Sequence, residues 1–266
     1  MAVQKALWYS DLHLNFLSEK KLTLFIDSII SRNPDLVWLT GDITTGKKLI
    51  EHLELLVNRL PFPIYFIIGN HDYWGSSIEQ THENIRELVK KYPGRLFWVS
   101  DKLSLPFSES TVLIGNEGWY DAMLGWPRHL VFTWDWFHIS NFRALGCCKR
   151  ITSFQKVAAD FTSKMRESLL SALNTHDHVY AMTHIPPWAE ATHDVGTFFG
   201  WFWLPYNVSV KMGMMFKEVM EQFPNKKLTV LCGHTHSKKS VQISGNINCH
   251  VAGADMYRLD NLIELA

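Results

Sequence analysis

Five apolar stretches in this chain each stop at a short polar run carrying histidine, aspartate or asparagine, and this repetition limits the possible folds more than any other feature. The plainest case is Ile64-Tyr65-Phe66-Ile67-Ile68, which ends at Gly69-Asn70-His71-Asp72. Taken alone, that ending reads as a tight turn, because Gly and Asn tolerate positive φ and Asp closes turns. The same ending recurs after Lys5 to Ser10 at Asp11-Leu12-His13, after Leu36 to Thr40 at Gly41-Asp42, after His178 to Thr183 at His184, and after Leu228 to Cys232 at Gly233-His234-Thr235-His236. In open α/β sheets, ligands bind in the crevice outside the carboxyl ends of the strands. Such a sheet would bring Asp11, His13, Asp42, Asn70, His184, His234 and His236 to one edge.

The intervening segments support strand and helix in alternation. Ser18 is an N-cap candidate for a helix to Ile30, with Leu22, Phe25, Ile26, Ile29 and Ile30 at helical spacing. A second helix carries Leu49, Leu53, Leu56, Val57 and Leu60 and is stopped by Pro61 and Pro63. Ser76 facing Glu79 offers a capping box for a third helix, to about Lys91. Arg95 to Val99 and Thr111 to Gly115 read as strands around a turn-rich stretch at Leu105-Pro106. From 116 to about 150 neither period holds, and Trp119, Tyr120, Trp126, Trp134, Trp136 and Phe137 crowd the segment. Loops of that length in compact domains are usually functional; a hydrophobic flap and a substrate-lining wall fit it equally. A long helix from about Ser153 to Leu173, an aromatic loop at about 188–207 and a helix from about Val208 to Gln222 follow. Val241 to Ile243, Ile247 to Val251 and Leu262 to Leu265 read as antiparallel strands.

The 266 residues fit one domain with a sizeable core. Lys+Arg and Asp+Glu are both 26, so no global field draws in nucleic acid or an anionic membrane. Cys147, Cys148, Cys232 and Cys249 form neither a disulfide framework nor a zinc ribbon. With no signal-peptide pattern before Asp11 and no apolar run of spanning length, a cytoplasmic setting is expected.

Imidazole, carboxylate and an amide oxygen together suit Mn, Fe, Zn or Ni, and the lack of thiolates argues against a structural zinc site. Seven ligands are too many for one ion. Two ions sharing Asp42 would use them all and leave positions open for water and substrate, as in pairs about 3.5–4 Å apart.

Together, Asp11-x-His13, Gly41-Asp42, Gly69-Asn70-His71-Asp72, His184 and Gly233-His234-x-His236 resemble the signature of the calcineurin-like metallophosphoesterase superfamily. The resemblance implies a four-layer α/β sandwich, two mixed β-sheets packed face to face with flanking helices, spanning 1–266 with the aromatic segments as insertions. It assigns Asp11, His13, Asp42 and His236 to one divalent or trivalent metal ion, Mn first among the candidates, and Asp42, Asn70, His184 and His234 to another. His71 would contact the phosphate and protonate the leaving group, with Asp72 orienting or charge-stabilising it, while a metal-activated water attacks. A small phosphodiester or phosphomonoester is the expected substrate. Gly41-Asp42-Ile43-Thr44-Thr45-Gly46 lacks the Asp-Arg-Gly extension resembling Ser/Thr protein phosphatases. A nuclease shares the motifs, but neutral charge argues against an extended polynucleotide; a non-catalytic scaffold would be expected to have lost ligands.

His82, His129, His138, His176, His178, His193 and His250 read as structural or surface histidines, His193 being nearest a motif. Trp74 and Trp188 fit either nucleobase stacking or core packing. The runs Trp134 to Phe137 and Phe198 to Trp203 are candidates for a lid, a homo-oligomer interface or a lipid-contacting surface.

Overall fold

In the computed structural model, which describes residues 5–126, 128, 131–192, 197–254 and 262–264, the first half is a run of parallel βα units. Strand β1 (Lys5–Tyr9) leads to α1 (Glu19–Arg32), β2 (Leu36–Thr40) to α2 (Leu49–Arg59), and β3 (Ile64–Ile67) to α3 (Ile78–Lys91) and β4 (Leu96–Trp98). Ser18 caps α1 by accepting the Lys21 N–H, and Asn33 ends it at φ 44°. The cap of α3 is Ser77, which accepts the Gln80 N–H at 3.1 Å, one residue later than the expected Ser76; the Gln80 amide donates to Asn84, so the cap is a single bond rather than the expected box. Asn141 accepts the neighbouring N–H of Ile78 at 2.9 Å, tying the helix start to the aromatic segment.

The second half begins with β5 (Leu105–Pro106), a short strand where a turn was expected, antiparallel to β6 (Thr111–Gly115). Two single-turn helices, α4 (Asp135–His138) and α5 (Ser140–Arg143), give the aperiodic stretch local structure. Helix α6 (Cys147–Leu173) starts six residues before the expected Ser153. Then come β7 (His178–Met182), α7 (Phe198–Trp203), α8 (Val210–Glu221), β8 (Lys227–Cys232), β9 (Lys239–Ser244), β10 (Ile247–Val251) and β11 (Leu262–Glu264). The last three are not one antiparallel group: β10 pairs with β8 in parallel and with β9 antiparallel, while β11 crosses to the other sheet, antiparallel to β1.

The sheets are ordered β11-β1-β2-β3-β4 and β5-β6-β7-β8-β10-β9. Side chains alternate along each strand. Ala6 and Trp8 of β1, Leu36 and Trp38 of β2, and Tyr180 and Met182 of β7 point between the sheets into one cluster. The alternate residues Leu7, Tyr9, Val37 and Leu39 pack under α1 and α2, and Val179, Ala181, Leu228 and Val230 pack under α6 and α8. Strands apolar on both faces therefore have both faces covered, giving four layers, α/β/β/α, as the resemblance implied.

Several off-motif histidines are held in this framework. His82 pairs with the Tyr73 hydroxyl at 2.8 Å, His178 with Thr229 at 2.9 Å and His250 with Ser240 at 2.8 Å. His176 pairs with Thr175; His129 and His193 lie outside the described residues. Trp188 is core, packed on Phe216. Burial holds His82, His178 and His250 below the ordinary histidine pKa. A depressed folded-state pKa stabilises the fold fully above the unfolded value of about 6.5, and that stability is lost as pH falls below it. In the metal-free protein these three histidines therefore contribute a fall in the urea midpoint as pH drops from about 7 to about 5, against the opposite contribution of the buried Asp72 carboxyl, which burial raises to about 7. His178→Asn should shrink the fall; an undiminished pH dependence in that variant would contradict the assignment.

Candidate metal centre

The strand ends converge because adjacent strands leave their sheets together. Beyond β1, Asp11 N–H donates to the Gly41 carbonyl and His13 N–H to the Asp42 carbonyl, both at 3.0 Å. The His184 N–H bonds the Glu117 carbonyl at 2.8 Å, and Gly233 N–H bonds the His184 carbonyl at 3.0 Å. Two glycines are required for space. A Cβ on Gly69 would collide with the Asp42 carboxylate and sit 2.7 Å from His184 Nε2, and one on Gly233 would collide with Ser10 and Asp11. Five ligand candidates take left-handed backbone: Asp11 (φ 53°), His13 (41°), Asp42 (48°), His234 (71°) and His236 (57°). Each costs on the order of 1–3 kcal/mol, and such strain concentrates at functional sites.

The side chains form two clusters with Asp42 in both. Asp11, His13, Asp42 and His236 offer ligand atoms within 4.8 Å of one another, as do Asp42, His184 and His234. In the first, His236 Nε2 lies 3.3 Å from Asp11 Oδ1 and 3.2 Å from His13 Nε2. In the second, His184 Nε2 lies 3.4 Å from Asp42 Oδ1 and 3.2 Å from Asn70 Oδ1, so the amide oxygen completes the group.

Neighbouring groups fix which atom each ligand presents. His184 Nδ1–H donates to the Thr40 carbonyl at 2.8 Å, leaving Nε2 free to ligate. His234 donates from Nε2 to the Tyr206 carbonyl at 2.8 Å, leaving Nδ1. Asn70 donates its amide N–H groups to both oxygens of Asp135 at 3.1 Å, turning Oδ1 toward the cluster. Asp135, buried in α4, also accepts from the Trp74 indole and the Tyr120 hydroxyl, both at 2.5 Å, and from Thr133 at 3.2 Å.

The electrostatics favour a cation. Burial would raise Asp42, yet His184, His71 and His13 hold it well below the ordinary range. Burial would lower His184, but the Asp42 and Asp11 carboxylates push it up to about 10. A hydrogen bond to Asp11 raises His236, whereas burial pulls His234 down to about 4. The ionised carboxylates thus keep protons on His184 and His236 where a metal ion would place its charge, and binding must displace them. This donor set, with its second hydrogen-bond shell, fits two transition-metal ions.

A family model described as calcineurin-like phosphoesterase matches residues 5–238, from β1 through His234 and His236. The chain belongs to the calcineurin-like phosphoesterase family. It is a metal-dependent phosphoric ester hydrolase of a dinuclear family. No curated protein sequence matches it. Among solved structures, the family's fold here is similar to a phosphopantetheinyl hydrolase from Mycobacterium tuberculosis, with TM-score 0.68 at 13% identity over 99% of this chain and 96% of that one. A dimetal phosphatase from Danio rerio gives TM-score 0.60 at 12% identity over 96% and 88%. The TT1561 protein of Thermus thermophilus gives 0.56 at 14% over 94% and 89%. At these identities the likeness concerns the fold.

Two residues of this phosphoesterase differ from their expected surroundings. The Asp72 carboxylate accepts the backbone N–H groups of Thr44 and Gly69 at 2.9 Å and of Ile43 at 3.2 Å, tying the β2 and β3 exits together. Its described hydrogen bonds go to backbone in place of the expected pairing with His71, whose Nδ1 is buried without a partner. Trp74 stacks with His71 at 3.9 Å and with His138 at 4.6 Å between centroids.

The aromatic segments brace the centre: 116–150 supplies Asp135 and 188–207 supplies the Tyr206 carbonyl. Nothing periodic marks Asp135; its only signal is an acid among tryptophans. Asp135→Ala would leave Asn70, Trp74 and Tyr120 without their acceptor. It should weaken binding of the second ion about 10–100-fold, read as metal per chain after dialysis, with the fold retained by circular dichroism; unchanged metal content would contradict this role.

Proposed function

We propose that this enzyme hydrolyses a small phosphodiester or phosphomonoester, with His71 protonating the leaving group. One ion would sit on Asp11, His13, Asp42 and His236, the other on Asp42, Asn70, His184 and His234. The observation that carries the reading is the double membership of Asp42, with an unligated imidazole beside it: His71 Nε2 lies 4.0 Å from Asp42 Oδ2. Bound ions would offset charge on the phosphoryl oxygens and acidify water at neutral pH. His71 is held for its part by its own backbone, whose N–H donates to Asp42 Oδ1 at 2.9 Å, and by the Trp74 ring stacked on it. Its side chain is 27% exposed, enough to meet a ligand. A cavity of about 200 Å³ beside it reaches Asn70, His234, Trp134 and Trp203 and suits an ester with an apolar portion.

Mn²⁺ is the proposed native ion and the cytoplasm the proposed setting. Turnover of a bis-nitrophenyl diester, a mononucleotide, a cyclic nucleotide, a phosphopantetheinyl ester and single-stranded DNA by Mn²⁺-loaded enzyme tests the substrate class. The small esters should be cleaved and the DNA spared; preference for DNA would make the enzyme a nuclease instead.

A further inference from the structure

We propose that the face around the mouth of the metal centre docks on an anionic lipid surface. Of the thirteen large hydrophobic side chains that stand exposed among the described residues, eight lie in two stretches, five at 123–137 and three in α7. Most of them fall into two contacting groups. The Trp126 ring lies 6.0 Å from Phe198, the Trp126 backbone N–H donates to the Trp201 carbonyl at 3.1 Å, and Phe132 lies 5.1 Å from Trp134 and 5.5 Å from Phe137. Phe132, Trp134 and Trp203 also line the cavity at His71 and His234, so the exposed aromatics reach the site. Exposed apolar patches this concentrated mark interaction surfaces, and Trp and Phe are the side chains that settle at the headgroup level.

The exposed charge of the 116–150 segment is one-sided. All three acids of the 116–150 segment are buried and occupied. Glu117 accepts the Trp98 indole at 2.9 Å, Asp121 the Lys211 N–H at 2.7 Å, and Asp135 its four donors. Three of the segment's four Lys and Arg residues face outward: Arg128, Arg143 and Lys149 are exposed, Arg143 is tied to the carbonyl of the exposed Phe137 at 2.9 Å, and the half-buried Arg150 bonds the Phe142 carbonyl at 3.2 Å. A chain with zero net charge thus exposes aromatic rings and cations, with its acids buried, from the segment that borders the candidate site. That surface complements anionic headgroups. A second copy is disfavoured, because a symmetric contact would bring those bases against one another. No helix among the described residues is long and apolar enough to cross a membrane, so the contact is interfacial. The substrate is then an amphiphilic phosphate ester presented at that surface, a step that rests on the hydrolase reading above.

Sedimentation of Mn²⁺-loaded enzyme with vesicles of phosphatidylcholine, with and without about 30% phosphatidylglycerol, tests the docking without requiring turnover. The enzyme should bind the anionic vesicles alone and release in high salt. Trp126→Ser with Phe198→Ser, and separately Arg143→Gln with Lys149→Gln, should each lower the bound fraction about tenfold. Both double variants should cleave a soluble nitrophenyl phosphate as the parent does. Three results would overturn the docking: no binding to either vesicle, equal binding to both, or a parent dimer that the Trp126/Phe198 variant dissociates. Hydrolysis of the soluble ester by an enzyme that ignores vesicles would remove this inference and leave the proposed function standing.

Discussion

Asp42→Asn should all but abolish hydrolysis, with turnover falling on the order of 10³-fold or more. Asp42 is the one residue common to both ligand clusters, and its carboxylate also accepts the His71 N–H. Asparagine keeps the shape and one acceptor oxygen but removes the charge on which both ions would depend. The variant should purify with fewer ions per chain and with its secondary structure intact. Full metal content combined with lost activity would show instead that Asp42 acts on the substrate alone.

His71→Ala should separate chemistry from metal binding. The backbone N–H that anchors the loop on Asp42 survives, so the metal content should not change. Turnover of an alkyl phosphate should drop about 10²–10⁴-fold, the usual range for loss of a general acid. A nitrophenyl ester should lose far less, because nitrophenolate departs without a proton. Equal losses on both esters would contradict an acid role, and loss of metal would make His71 a ligand.

The centre was legible in the sequence where its signals are local. A buried strand declares itself by composition and length, and its polar end by contrast, so Asp11, His13, Asp42, Asn70, His184, His234 and His236 could be named without knowing how the strands pair. Asp135 and Tyr206 could not be. Each lies in an aperiodic segment and acts on a ligand far away in sequence, Asp135 on Asn70 across 65 positions and Tyr206 on His234 across 28. Asp72 shows the opposite error. Adjacency to His71 suggested a side-chain pair, but the chain turns between them, and the carboxylate satisfies backbone donors that the strand exits would otherwise leave buried and unpaired. Gly69 was expected to permit a sharp turn; it is required because Asp42 and His184 approach too closely for a Cβ. Pairing order was the least legible part of the fold, since β11 and β10 choose partners by long-range packing that no local pattern records.

Metal titration of the stripped enzyme tests the dinuclear assignment most directly. After chelator treatment, hydrolysis of a nitrophenyl phosphate ester should vanish, and added Mn²⁺ should restore it with saturation at two ions per chain. Activity that survives complete removal of metal, or full recovery at one ion per chain, would contradict a centre built on the sharing of Asp42.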